Sequence, residues 1–416
     1  MSRTSHPAVL PLLPLCALVA MNLLNYLDRQ VIAAMLPSIQ QQLALSDTQG
    51  GLLGSAFTIV YFLVCPLFGY LGDRRPRPQL LAWGVGLWSV ATACTGLSRG
   101  FLSLLGVRAA VGIGEAAYGV VAPAMLSDLV PGPQRGRVLS YFYLATPVGG
   151  ALGYLLGGVL DARIGWRLAF AWVGLRGLLL AVWALYLDDP PRGGADRPGT
   201  AAPATAALGA VYRSLAANRL YVFTVAGNTA YTFALGGLAF WMPSYLCRVR
   251  HYDMARGMLL FGAITAAMGL LGTLVGGHLG DRWQRLHPNG YSRLSALSML
   301  GATLCSAAAL LATAAVGFFV ALVAALFCIF LSSGPINAQI LGAVPATARA
   351  TAMATSVFFI HLLGDAISPG LMGMVADRLG LRAAMLMVPA FFLLAGILWA
   401  CGPQRQLPPP ELTGPV

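Results

Sequence analysis

The chain has 416 residues, 58% hydrophobic and 10% charged, with a mean hydropathy of +0.74 and a net charge of +12. Soluble domains carry roughly 25% charged residues, so this composition excludes a water-soluble globular protein and indicates a polytopic membrane protein. All 26 basic residues are arginine, which removes Schiff-base lysines and P-loops, and their dispersal between apolar runs argues against a nucleic-acid-binding face.

A spanning helix needs roughly 20 apolar residues. Hydropathy predicts spans near 10–36, 49–72, 79–98, 101–125, 138–160 and 168–187. The first run is too long for the apolar core of a signal peptide and is expected to be retained. A polar interval rich in Pro, Gly and Ala follows over 188–218, and its composition predicts a flexible connector. Six further spans are predicted near 219–243, 254–280, 292–314, 316–338, 350–375 and 382–401. The expected organisation is a six-helix bundle over 1–187, a cytoplasmic linker over 188–218, a second six-helix bundle over 219–401 and a cytoplasmic tail over 402–416. The seven cysteines are scattered without a CxxC or zinc spacing, so neither a metal nor a cofactor is expected.

The halves repeat. Gly69-Tyr70-Leu71-Gly72-Asp73-Arg74 follows the second span and Gly277-His278-Leu279-Gly280-Asp281-Arg282 the eighth. Val130-Pro131 with Arg135 precedes the fifth span, and Val344-Pro345 with Arg349 the eleventh. Gly165-Trp166-Arg167 opens the sixth and Gly380-Leu381-Arg382 the twelfth. Parallel six-span repeats are a transporter plan with the substrate site at the repeat interface. With the N-terminus inside, 15 arginines fall on cytoplasmic segments and eight on the opposite side, which predicts cytoplasmic termini.

Charged side chains are costly inside a membrane and are functional by default. In the first span Asn22, Asn25, Tyr26 and Arg29 share one helix face, with Asp28 beside it. In the fourth, Arg108, Gly112 and Glu115 share a face, and a long arginine closes much of the roughly 10 Å of rise between Arg108 and Glu115. Asp28, adjacent to Arg29, is expected to be held as its partner. His361 and Asp365, one turn apart in the eleventh span, are a possible proton relay. Asp73, Arg74, Asp281 and Arg282, at the ends of the second and eighth spans, suit a gate in which charges bridge to neighbouring helix ends and dipoles. Gly112-x-Gly114-x-x-Ala117 matches a dinucleotide fingerprint only formally, since no strand precedes it; its small residues suit close helix packing. Arg176 and His278 receive no role.

The repeated GxLGDR loops resemble the motif between the second and third spans of the major facilitator superfamily, usually written GxLaDrxGrr, with Pro76 standing where the family prefers glycine. The Asn25-Tyr26-Leu27-Asp28-Arg29 run resembles the spinster branch of that superfamily, whose animal members export sphingolipids or lysolipids. So does the string from Arg108 to Tyr118 (RAAVGIGEAAY), with Ala122-Pro123 and Ser127-Asp128-Leu129. The resemblance implies an all-α membrane protein, twelve transmembrane helices in two pseudo-symmetric six-helix bundles, with spans one, four, seven and ten lining a central cavity. It sets Asp28, Arg29, Arg108 and Glu115 around the substrate path together with Asn25, Tyr26 and Tyr118. The seventh span adds Asn228 and Tyr231 on one face with Thr224, and the tenth adds Asn337 with Ser332 and Ser333.

The function this reading implies is proton-coupled secondary active transport by alternating access. Asp28 and Glu115 would carry the proton. An arginine-bearing cavity suits an anionic or amphipathic substrate, such as a lysolipid or sphingolipid, because guanidinium binds carboxylate or phosphate bidentately. Two alternatives stand beside it: a carrier of small organic anions or drugs, and an intramembrane lipid-modifying enzyme built on His361 and Asp365. The all-arginine, Ala- and Gly-rich usage indicates a bacterial gene. The expected setting is therefore a monomer in the bacterial inner membrane, its partners a small-molecule or lipid substrate, protons and membrane lipids, with no nucleic acid.

Overall fold

A computed structural model describes residues 12–130, 132–191, 208–344 and 349–403. Within these ranges the side chains of Asp73 and of residues 132–137, 139–141, 143–144, 208–211 and 349–350 lie outside the description. Pro131, Arg135, Pro345 and Arg349 of the repeat, residues 192–207 of the linker and 404–416 of the tail therefore fall wholly or in their side chains outside the described residues.

In the first half the helices are α1 (Leu12–Leu43), α2 (Asp47–Arg74), α3 (Arg77–Thr95), α4 (Phe101–Leu129) and α5 (Gly132–Leu185). Then come α6 (Leu208–Ala217), α7 (Arg219–Arg248), α8 (Met254–Leu286), α9 (Gly290–Leu311), α10 (Ala315–Leu331) and α11 (Ser333–Gly342). The chain continues through α12 (Arg349–Ile360), a π-helical turn (His361–Asp365), α13 (Ser368–Leu379), α14 (Leu381–Met385) and α15 (Met387–Cys401). Eight stretches among the described residues are long and apolar enough to cross a membrane, one of them the 41-residue Ala145–Leu185. With that stretch taken as two limbs, and with α1, α3 and α7, the twelve expected helices are present.

The sequence predicts two spans over the residues of α5, which is divided into two helical limbs by a kink at Gly165. Its backbone lies at φ 74°, ψ 156°, a conformation open to glycine because it lacks a Cβ. Gly149 and Gly153 pack on Leu23 and Leu27 of α1, Asp161 meets Ser38, Trp166 meets Gln42, and Gly177 is back beside Leu24. The chain thus climbs along α1, turns at Gly165 and descends. Gly380, its repeat counterpart, has φ 85° and turns α13 into α14. The arginines that follow explain the matched landmarks. Arg167 donates to the carbonyls of Gly96 (2.9 Å) and Ser98 (2.6 Å) beyond the end of α3, and Arg382 to Leu310 (3.2 Å) near the end of α9. Each places a cation at the negative end of a helix.

The linker departs from expectation. Composition predicts a flexible connector over 188–218; its last part, Leu208–Ala217, is the helix α6, and 192–207 lie outside the described residues. The Pro- and Gly-containing stretch ends before it, and the LGAVYRSLAA segment is amphipathic.

Two compact units divide the chain. One gathers the described residues of Met1–Leu45, Ala56–Ala202 and Leu246–Gly262; the other those of Ser46–Ser55, Pro203–Tyr245 and Ala263–Val416. In the first, Leu18, Met21, Trp88, Tyr118, Met125 and Phe142 form a buried core, with Trp88 edge-on to Tyr118 at 5.5 Å. Gly112 and Gly114 make that packing possible. A Cβ on Gly112 would lie 2.7 Å from the Phe57 carbonyl of α2, and one on Gly114 2.6 Å from the Gly84 carbonyl of α3. The formal dinucleotide fingerprint is a helix-crossing site. In the second unit Phe233 stacks on Phe391 at 3.9 Å, and the indole of Trp399 donates to Thr224 (3.1 Å). There the carboxylate of Asp377 accepts the first backbone N–H groups of α2, from Asp47 (2.7 Å) and Thr48 (2.8 Å).

Candidate functional site

In the first unit, α1 and α4 bring Asp28, Arg29, Arg108 and Glu115 together. Arg29 Nε donates to Glu115 Oε2 at 2.7 Å; the Glu115 side chain is wholly buried and that of Arg29 is 22% exposed. The Arg29 guanidinium lies 5.0, 5.2 and 4.9 Å from the ring centroids of Tyr26, Phe57 and Tyr61. Arg108 lies 4.9 Å from the same Phe57 ring, so one aromatic ring serves two guanidiniums. Asp28 is buried and accepts from Thr92 Oγ1 of α3 at 3.3 Å. Asp28 Oδ1, Glu115 Oε1 and Arg108 Nε are buried with no hydrogen-bond partner among the described residues. Two carboxyls and two guanidiniums can sum to neutrality, yet three of their polar atoms are left unspent.

The pairing differs from the sequence expectation in two respects. Arg108 does not reach along its own helix to Glu115; Arg29 of α1 takes that carboxylate. Asp28 is not the partner of Arg29, because successive residues on a helix point about 100° apart and Asp28 turns towards α3. Asn25 is buried one turn before Arg29. Tyr118 is not brought to the cluster: its hydroxyl donates to the Leu18 carbonyl at 2.6 Å within the packed core. Phe57, Tyr61 and Thr92 were missed by sequence reasoning, since none belongs to a charged stripe; the aromatic residues of α2 were the available signal.

In the second unit Ser333 joins two helices. The Tyr231 hydroxyl of α7 lies 3.4 Å from Ser333 Oγ, and the exposed Asn337 amide donates to the Ser333 carbonyl at 2.9 Å. Asn228 is half-buried one turn before Tyr231 on the same face. His361 Nδ1 lies 3.0 and 3.1 Å from the two Asp365 oxygens, on the π-helical turn, with both side chains about 30% exposed. Such turns recur at functional sites.

Of the expected gate, Arg74 stacks on Tyr70 at 3.8 Å, Asp281 accepts from the Tyr291 hydroxyl at 2.8 Å, and Arg282 is exposed. The Asp73 side chain lies outside the described residues. The firmest bond near this motif belongs to an arginine the sequence reading passed over. Buried Arg77, at the start of α3, pairs with Asp128 at the end of α4 at 2.5 Å, while its backbone N–H reaches Asp189 at 3.3 Å. Pro76 is the N-cap of α3 and Pro78 stands in its first turn, so Arg77 is placed at the helix start between two prolines.

The profile of the Major Facilitator Superfamily matches residues 18–369. The zebrafish (Danio rerio) sphingosine-1-phosphate transporter SPNS2 is 34% identical over 397 residues, covering 91% of this chain and 79% of the relative. The chain belongs to the major facilitator superfamily, in its spinster branch. Human protein spinster homolog 1 is 34% identical over 382 residues, covering 86% and 71% of the two chains. The crystal structure of a bacterial homologue of the human lysosomal transporter Spinster, inward-facing and unoccupied, matches with a TM-score of 0.84 at 25% identity, covering 93% of this chain and 95% of that one. A D-xylose–proton symporter shares the fold, with a TM-score of 0.77 at 16% identity over 95% and 99% of the two chains. The protein is a multi-pass membrane transporter and not an enzyme, which sets aside the lipid-modifying reading of His361 and Asp365.

Proposed function

We propose that this spinster-branch protein is a proton-coupled secondary active transporter of an anionic, amphipathic substrate of the lysolipid or sphingolipid type, working by alternating access. The observation that carries the reading is the buried Arg29–Glu115 pair, flanked by Asp28 and by Arg108 with its unspent nitrogen. Desolvation favours a neutral carboxyl and a nearby guanidinium favours a carboxylate, so an arginine that changes partners shifts a carboxyl between holding and releasing a proton. A substrate phosphate or carboxylate competes for the same guanidinium. When it takes Arg29, Glu115 is freed to accept a proton, and the two fluxes are linked. The name of the zebrafish relative, a sphingosine-1-phosphate transporter, supports the substrate class. Asn25 and Tyr26 beside the cluster, with Asn228, Tyr231 and Asn337 in the other unit, are the polar contacts we assign to substrate. Tyr118 has its hydroxyl occupied, so its part is to hold α4 in the core. His361 and Asp365 are a secondary proton relay, and Asp73, Arg74, Asp281 and Arg282 belong to the gate. The reading includes a bundle over 1–187 and another over 219–401, cytoplasmic termini and the bacterial inner membrane, with the protein as a monomer.

Uptake driven by a pH gradient in proteoliposomes, read beside direct substrate binding, tests the proposal. Glu115→Gln is expected to abolish accumulation and keep binding, and Arg29→Ala or Arg108→Ala to lose binding or transport. Unimpaired gradient-driven uptake in both Asp28→Asn and Glu115→Gln would overturn it. A binding screen across lysolipids, sphingoid phosphates and small organic anions separates the lipid substrate from the organic-anion alternative.

A further inference from the structure

The second unit contains a groove remote in sequence from the charged cluster of the first. It has a volume of about 550 Å³ and is framed by α6, α7 and α12. That lies within the roughly 300–1,000 Å³ of small-molecule sites. Val222, Val225, Ala226 and Thr229 of α7 line it as one helical stripe, with Leu215 of α6 and Phe359 of α12 opposite. Apart from hydroxyls and backbone, the lining is apolar.

Its frame is charged with one sign only. Residues 208–229 and 351–363 hold no Asp or Glu, and they hold Arg213 and Arg219. Arg219 continues the α7 stripe one turn before Val222, and Arg213 stands one turn before Ala216, another lining residue. Both arginines are exposed, and neither has an ion pair or hydrogen bond from its side chain among the described residues. Asn218, between the two helices, is by contrast engaged: it caps α7 through the Tyr221 N–H (3.1 Å) and donates to the Ala343 carbonyl (2.7 Å). An amphipathic helix with a basic side chain on its polar face, as α6 has in Arg213, suits a membrane interface. Here such a helix closes one side of an apolar groove, so an apolar chain and an anionic head are called for at one place.

We propose that this groove binds an anionic phospholipid of the surrounding bilayer, with one acyl chain along the α7 stripe and the headgroup phosphate on Arg213 and Arg219. The site is separate from the transported substrate's and does not depend on how that substrate is recognised. Phosphate is well matched to guanidinium, which offers it two parallel donors.

The test uses the full chain, reconstituted in nanodiscs of phosphatidylcholine and phosphatidylglycerol, extracted into detergent and weighed by native mass spectrometry. The unaltered protein is expected to retain phosphatidylglycerol in preference to phosphatidylcholine. Arg213→Gln and Arg219→Gln should each weaken retention by about tenfold, the scale of one charge-assisted hydrogen bond. Ala226→Trp, which fills the groove, should abolish it. The arginine variants lie on exposed positions and keep the test valid if the tryptophan variant does not fold. Equal retention of the two lipids, or retention unchanged in both arginine variants, would overturn the proposal. So would displacement of the phospholipid by the transported amphiphile, which would make the groove part of the transport path.

Discussion

Arg29 is held by one carboxylate and surrounded by three aromatic rings, while Arg108 has a ring and, among the described residues, no carboxylate bond. Arg29 is thus the partner of Glu115 and, with its side chain partly exposed while Arg108 is buried, the more accessible of the two guanidiniums. Removing one member of a buried pair leaves the other charged and desolvated, a loss of about 3–5 kcal/mol, whereas replacing both by apolar groups of similar volume is often neutral. Arg29→Ala is therefore expected to destabilise the protein by roughly that amount, discounted for the partial exposure of Arg29, and Arg29→Met with Glu115→Leu to recover most of it. Thermal unfolding in detergent measures both. A double variant no more stable than Arg29→Ala would show that the pair does not account for the loss. The residues of this site were largely legible: helical spacing alone put Asn25, Tyr26 and Arg29 on one stripe and Arg108 with Glu115 on another. Who pairs with whom was not, because it depends on the relative height and rotation of two helices, which periodicity within either one does not encode.

At the scale of elements, α3 and α4 are joined at two places by different means. Gly84 and Gly114 let their backbones meet, and Arg77 ties the start of one to the end of the other through Asp128. Gly114→Val would drive a side chain into the Gly84 carbonyl and the Trp88 backbone. Overpacking typically costs 1–3 kcal/mol, and backbone neighbours give little, so we expect a loss at or above the top of that range, seen as a lowered thermal midpoint. Asp128→Asn weakens the charge pair and leaves the crossing intact; it should slow transport with little change in substrate affinity, since its effect falls on the conformational equilibrium. Comparing transport rate with equilibrium binding checks this, and loss of binding would contradict it. The Asp377 carboxylate does for α2 what an N-cap side chain does locally, so Asp377→Ala should cost about 0.5–2 kcal/mol. The sequence showed the landmarks of these contacts without their purpose. Gly165-Trp166-Arg167 and Gly380-Leu381-Arg382 were visible as a repeat, but only the carbonyls beyond α3 and near the end of α9 explain why an arginine follows each glycine. The helix α6 was hidden because composition averaged over 188–218 was dominated by its prolines and glycines.

At the scale of the whole molecule, the repeated halves and the arginine asymmetry predict a linker on the cytoplasmic side. A cysteine placed at Thr200, which lies outside the described residues, should react with membrane-permeant reagents and resist impermeant ones in intact cells. Labelling from outside would invert the topology. The twelve-helix plan was readable because apolar length is a strong constraint in a bilayer, where every backbone group must be bonded internally. The turn at Gly165 carries that constraint to its limit. The fifth and sixth spans are joined without a loop of their own, and Gly380 joins the last two in the same way. With so little chain between the arms, each such pair is expected to enter the bilayer together as a hairpin during biogenesis. A reporter tag or protease site inserted at either glycine would separate arms that are assembled together, whereas the interval around Thr200 has chain to spare.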